Sequence, residues 1–141
     1  MKIDSILVIK NKRLLYLKSG DQIIKTYSIA LGKEPIGPKE FDGDNKTPEG
    51  EYIIYEKTEQ SEFYKNLGFS YPNEKDLAHA EKNKKKVGGQ IKIHGFKNDF
   101  TGDQIEGKKK DWTAGCIAVT NAEMDEIYEL VKVGTPVFVK K

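Results

Sequence analysis

Apolar and polar residues alternate along the first part of the chain, from Ile6 to Lys10, Leu14 to Lys18 and Ile23 to Leu31. A period of two is the mark of strands with one buried face. Asn11-Lys12 and Ser19-Gly20-Asp21 break the runs and predict tight turns, the first a two-residue hairpin. Residues from Gly32 to Gly50 are dense in Gly, Pro, Asp and Asn, the composition of a long loop, and Tyr52 to Glu56 resumes as a strand. Leu77 to Lys86 lacks Gly and Pro and predicts a helix whose apolar face is thin, only Leu77, Ala78 and Ala80. A helix that buries so little lies over something or moves. Gly88-Gly89 ends it, and Gln90 to His94 alternates again. Ala114 to Val119 reads as another strand. Thr120 and Glu123 then have the spacing of a capping box, followed by Met124, Ile127, Tyr128 and Val131 as an amphipathic stripe. Gly134 stops this helix and Pro136 to Val139 closes the chain as a strand. The pattern predicts a β-rich α+β fold with one firm C-terminal helix and one helical insertion.

Composition narrows the functional classes. With 141 residues, residues 1–141 make one domain, long enough to bury a core unaided. Only Arg13 among the 24 basic residues is an arginine, and the net charge is +2. Nucleic-acid readers depend on the forked guanidinium, so no nucleic-acid partner is expected. Lys84 to Lys86 and Lys108 to Lys110 are read as solvated faces. One cysteine excludes an internal disulfide. Two histidines and one cysteine lack zinc-ligand spacing, so neither metal nor cofactor is expected. No run approaches the roughly 18 apolar residues of a membrane span, and Met1 leads at once into alternating residues with no apolar leader. The chain is expected to be a cytoplasmic protein or a form whose leader has been removed, and a monomer.

Cys116 is the first candidate for chemistry. A lone free cysteine is most often a buried structural residue, and Ile117 and Val119 after it favour that reading. Gly115 before it allows close backbone approach, and N–H groups around Ala114, Gly115 and Cys116 could make an oxyanion hole. A thiol of ordinary pKa needs a base. His94, followed by Gly95 at a predicted strand end, is placed for that role, although a hydrogen-bonded structural histidine is the commoner case. His79 in the lysine-rich helix is read as a surface residue.

These residues form a recognisable set. Ile93-His94-Gly95 with Thr113-Ala114-Gly115-Cys116-Ile117, 22 residues from histidine to cysteine, resembles the signature of the L,D-transpeptidase (YkuD) family. Tyr27 to Gly32 and Thr47-Pro48-Glu49-Gly50-Glu51-Tyr52 resemble further segments of the family, so the likeness spans about Ile6 to Val139. The run Asp111 to Asn121, with Ser70-Tyr71-Pro72-Asn73 upstream, is similar to the YafK-like branch. The resemblance implies a mixed β-sandwich-like domain with the helical insertion near its cleft. It implies Cys116 as nucleophile, His94 as general base and acid, and Gly115 as an oxyanion-hole backbone donor. The substrate would be the stem peptide of peptidoglycan, cut at an L,D-type bond through a thioester passed to an amine or to water. Gly95, Trp112, Thr113, Ala114 and Tyr71 are its candidate substrate contacts, with core packing an equal role for Trp112 and Tyr71. Asp111 or a backbone carbonyl would orient His94. The implied location is the periplasm or cell envelope, and the branch adds wall-linked protein as a partner.

Two positions depart from the family. Many members have His before Gly-Cys and Arg two residues after Cys, where this chain has Ala114 and Ala118. An arginine there would suit a substrate carboxylate, so here a lysine or backbone N–H groups must serve. A wall-binding module without catalysis is the alternative these alanines leave open.

Overall fold

The computed structural model describes residues 2–141 and places the alternating runs in one sheet. Its strands are β1 (Ser5–Ile9), β2 (Leu14–Ser19), β3 (Gln22–Ser28), β4 (Gly50–Ser61), β5 (Tyr64–Phe69), β6 (Lys92–His94), β7 (Ile117–Ala118) and β8 (Pro136–Lys140). The helices are α1 (Glu74–Lys82), α2 (Gln104–Gly107) and α3 (Asn121–Leu130). The spatial order is β3-β2-β1-β8-β4-β5-β6-β7. Two pairs, β1 with β8 and β6 with β7, run parallel and the rest antiparallel, so the sheet is mixed.

The long strand β4 turns this order into two layers. Its first residues, Gly50 to Ile53, pair with β8, and its continuation from Ile54 pairs with β5. A register shift between Ile54 and Glu56 marks the handover. Such irregularities bend and twist a strand. The two ends of the order also meet, since Ala30, just beyond β3, bridges Ala118 in β7 through hydrogen bonds of 2.9 and 3.0 Å. The sheet thereby closes over a core of Ile6, Leu15, Leu17, Ile54, Leu67 and Phe69, with Met124 and Ile127 of α3 buried against it. The fold is β-rich α+β with a folded-over mixed sheet, as predicted.

Several local expectations shift. Asn11-Lys12 is not a two-residue hairpin: residues Lys10–Lys12 form a 3₁₀ turn and Arg13 exits at φ 53. The first helix starts at Glu74, earlier than expected, because Asn73 and Asp76 form a capping box. It ends at Lys82, and Leu77 is half exposed while Ala80 alone is buried, in line with its thin face. The strand expected from Gln90 begins only at Lys92, because Gly88 and Gln90 take φ of 82 and 59. The Thr120–Glu123 box is present, with the Thr120 hydroxyl accepting from Glu123 N–H at 3.1 Å and the Glu123 carboxylate from Thr120 N–H at 3.0 Å.

One lysine departs from the solvated reading. Lys108 is buried and donates to both Glu123 carboxylate oxygens at 2.8 Å and to the Ser28 carbonyl at 3.1 Å. A buried ammonium must be paired, and the capping carboxylate supplies the partner. Lys10 is likewise buried, bonded to the Gly37 and Thr47 carbonyls at 2.9 and 2.7 Å and to Glu49 at 3.1 Å. It ties the loop after β3 to the sheet.

Candidate active site

The parallel pairing of β6 and β7 sets the site. Ile93 faces Ile117 and His94 faces Ala118, so Cys116, just before β7, lies beside Lys92. Strand alternation puts Lys92, His94 and Cys116 on one face and Ile93 and Ile117 in the core. Cys116 and His94 line a cleft of about 330 Å³ together with Ser61, Glu62, Phe63, Asn66, Gln90 and Lys92. Tyr71, Trp112, Thr113 and Gly95 are not in that lining.

The thiol sits in a shallow backbone cage. Cys116 Sγ donates to the Gln90 carbonyl and accepts from the Lys92 N–H, each at 3.4 Å. Burial pushes the Cys116 thiol up, and the Lys92 N–H and ammonium oppose that rise. Burial pulls His94 down to about 4, against the hydrogen bond to Gly95. Phe63 stacks on the imidazole with ring centres 4.6 Å apart, and Trp112 lies 5.8 Å away. Those rings keep water off His94. At neutral pH the resting pair is a thiol beside a neutral imidazole.

The orienting group for His94 is a backbone carbonyl. Its Nδ1 lies 2.7 Å from the Gly95 oxygen. A carbonyl only accepts, so Nδ1 carries the proton and Nε2 keeps its lone pair free. Asp111, the side-chain candidate, is engaged elsewhere: it pairs with Arg13 at 2.8 Å and accepts from Leu31 N–H at 3.0 Å. The one arginine is thus committed to holding the loop before Cys116.

Thr113 and the two glycines shape the backbone. Thr113 Oγ1 donates to the Cys116 carbonyl at 2.7 Å and accepts from Gly115 N–H at 3.1 Å. That bond occupies the Gly115 donor expected for an oxyanion; the neighbouring N–H groups of Ala114 and Cys116 meet no protein acceptor among the described residues. Gly115 has φ of 141, and a Cβ there would lie 2.8 Å from the Lys46 carbonyl, so only glycine fits the turn against the loop from Gly32 to Thr47. At Gly95 a Cβ would lie 2.3 Å from Asn121 Oδ1, which accepts from Phe96 N–H at 2.9 Å.

The remaining sequence candidates fall on both sides of the cleft. Ala114 is exposed beside the thiol, and Trp112 is a half-buried wall behind His94. Tyr71 is buried in the core, its hydroxyl donating to the Val87 carbonyl at 2.9 Å, and so fixes the segment that leads to Gln90. The helical insertion acts in the same indirect way: α1 stands off the lining, and the chain after it reaches the thiol. Sequence reading missed Phe63, Asn66, Gln90 and Lys92. Lys92 was accessible to it, two positions before His94 on the same strand face. His79 is paired with Glu40 at the surface. A larger apolar hollow of about 500 Å³, lined by Phe96, Phe100 and Trp112 with Lys97, Glu106 and Lys110, holds neither Cys116 nor His94.

Among the described residues no group of three His, Cys, Asp or Glu side chains is arranged to hold a metal ion, and no helix is long and apolar enough to cross a membrane. Comparison with known proteins identifies the family. Residues 3–139 match the YkuD family, the L,D-transpeptidase catalytic domain. YafK of Escherichia coli K12 is 32% identical over 121 residues, which are 83% of this chain and 42% of YafK. The helical cell shape determining protein Pgp2 of Campylobacter jejuni superposes with a TM-score of 0.73 at 25% identity over 99% of this chain and 48% of its own. Bd1075 of Bdellovibrio bacteriovorus does so with a TM-score of 0.64 at 26% identity over 97% of this chain and 47% of its own. An L,D-transpeptidase of Enterococcus faecium, at 17% identity and a TM-score of 0.64, over 99% of this chain and 50% of its own, shares the fold. The chain spans about half the length of these relatives. With every strand but the last residue of β8, and both the His-Gly and Gly-Cys segments, inside the matched region, the chain belongs to the YkuD family of L,D-transpeptidase catalytic domains.

Proposed function

We propose that this domain is a cysteine acyl-transfer enzyme of the cell wall, acting on the peptidoglycan stem peptide at the L,D-type bond after its diamino acid. The observation that carries this reading is a single cleft holding Cys116 and an imidazole whose Nδ1 is tied to the Gly95 carbonyl. Family membership supports this substrate class.

In the acylation step, Nε2 of His94 takes the thiol proton as Sγ attacks the scissile carbonyl. The raised thiol and lowered imidazole favour a proton that moves with the attack over a preformed thiolate–imidazolium pair. The negative oxygen faces the N–H groups of Ala114 and Cys116, where each donor is worth about 3 kcal/mol. The C–N bond breaks, His94 returns the proton to the leaving amine, and a thioester remains on Cys116. An incoming amine or water then gives a proton to Nε2, attacks the thioester and releases the thiol, which takes the proton back. An amine gives a cross-link or an attached protein; water gives a trimmed stem or a freed protein. A substrate outside the cytoplasmic membrane supports a working location in the periplasm or cell envelope.

Incubation with a carbapenem tests the nucleophile. Intact mass is expected to rise by one adduct that maps to Cys116, and its absence would overturn this reading. Mass spectrometry of sacculi treated with the enzyme separates new cross-links from shortened stems.

A further inference from the structure

The cleft carries two polar groups that the acyl-transfer steps leave unused. Lys92 lines it on the same strand face as His94, and its backbone N–H already touches Cys116 Sγ. Its side chain is 23% exposed, and its ammonium has one ionic neighbour, Glu56, at 3.5 Å. No hydrogen bond to it is short enough to satisfy any of its three donors among the described residues. Gly68 makes even that approach feasible: a Cβ there would lie 2.9 Å from Glu56 Cγ.

The second group is Asn66. It faces His94 across the β5–β6 pair, while Gly68 faces Lys92, so Asn66 and Lys92 are diagonal neighbours on the cleft face. Asn66 is 2% exposed, lines the cleft, and its Oδ1 has no partner. A buried amide oxygen left bare costs about 1–3 kcal/mol, and a ligand N–H would relieve it. Glu62, the other charged group in the lining, has a mostly exposed carboxylate 3.7 Å from Lys97.

Two residues after Cys116, Ala118 is fully buried between His94 and Ala30 and offers a ligand no polar group. We propose that Lys92, with Asn66 beside it, is the specificity-determining receptor for a peptide bearing a free carboxylate next to the scissile bond. The ammonium takes the carboxylate, and Asn66 Oδ1 takes an adjacent peptide or amine N–H. This rests on the acyl-transfer reading for the position of the scissile bond.

The test measures binding without turnover. Calorimetry on the Cys116→Ala protein would compare a synthetic stem peptide ending one residue past its diamino acid with the same peptide capped as a C-terminal carboxamide. The free acid is expected to bind at least about tenfold more tightly, the size of a charge-assisted hydrogen bond. Lys92→Met, with Lys92→Gln as a second variant should the first fold poorly, is expected to bring the ratio close to one. Lys92→Arg is expected to keep it. No preference in the Cys116→Ala protein, survival of the preference in Lys92→Met or Lys92→Gln, or equal weakening of both peptides would overturn the proposal. A missing carbapenem adduct would instead sink the nucleophile assignment and leave these ratios untouched.

Discussion

The sheet around β1 and β2 and the cleft around β6 and β7 are built on opposite terms. In β1 and β2 every second residue is buried, and Ile6, Val8, Leu15 and Leu17 belong to the apolar core. The strands β6 and β7 have three and two residues, and their polar face carries Lys92, His94 and, at its edge, Cys116. The first region spends its residues on burial. The second interrupts its strands with turns at Gln90 and Gly115 so that unlike groups converge. Stability and chemistry should therefore separate when each region is altered.

The sharpest break in that contrast is Cys116→Ala. Turnover should fall by at least about 10⁴-fold, as removal of a covalent nucleophile does, while thermal unfolding stays close to that of the parent. Measuring hydrolysis or transfer alongside the melting curve checks both halves.

His94→Gln comes next, with a loss of about 10²–10⁴-fold expected from removing the proposed general base. It also probes stability through pH. The folded imidazole stays neutral down to about 4. An unfolded histidine takes up its proton near 6.5. The unfolded chain therefore binds the proton first, and stability should drop as pH falls from about 6.5 toward 4. The full window amounts to roughly 3 kcal/mol. Urea titrations between pH 7 and 4 should show this slope in the parent and its flattening in His94→Gln. A slope of equal size in both proteins would remove His94 as its source.

Leu15→Ala reverses the balance. Truncating a fully buried leucine should cost about 3 kcal/mol of stability. The rate of Cys116 acylation per folded molecule should hardly change. Thr120→Ala is the smallest change. Losing the N-cap of α3 should cost about 1 kcal/mol, read as a lower denaturation midpoint, with acylation again intact.

The same contrast governs what could be read from residues. The strands β1, β2 and β8 and the capped helix α3 were legible because their patterns are local: alternation, an i to i+4 stripe and a capping box. The strand β5 escaped notice, since its burial runs unbroken from Asn66 to Phe69 and its Gly68 breaks the strand signature. The helix α2 was missed for its four residues. Lys108 was assigned to solvent because its partner, Glu123, lies in another element.

The His-Gly and Gly-Cys segments determined, by sequence alone, the family resemblance and the pair of candidate reactive residues. Their relation in space came only from the parallel pairing of β6 with β7. Tertiary structure also decided that the Gly95 carbonyl, and not Asp111, holds the imidazole, that Thr113 takes the Gly115 N–H, and that Lys92 stands where the thiol is. Period and spacing report on a residue's own element. Protonation, tautomer and cleft lining depend on atoms that other strands bring within about 3 Å, and that information is absent until the sheet has closed.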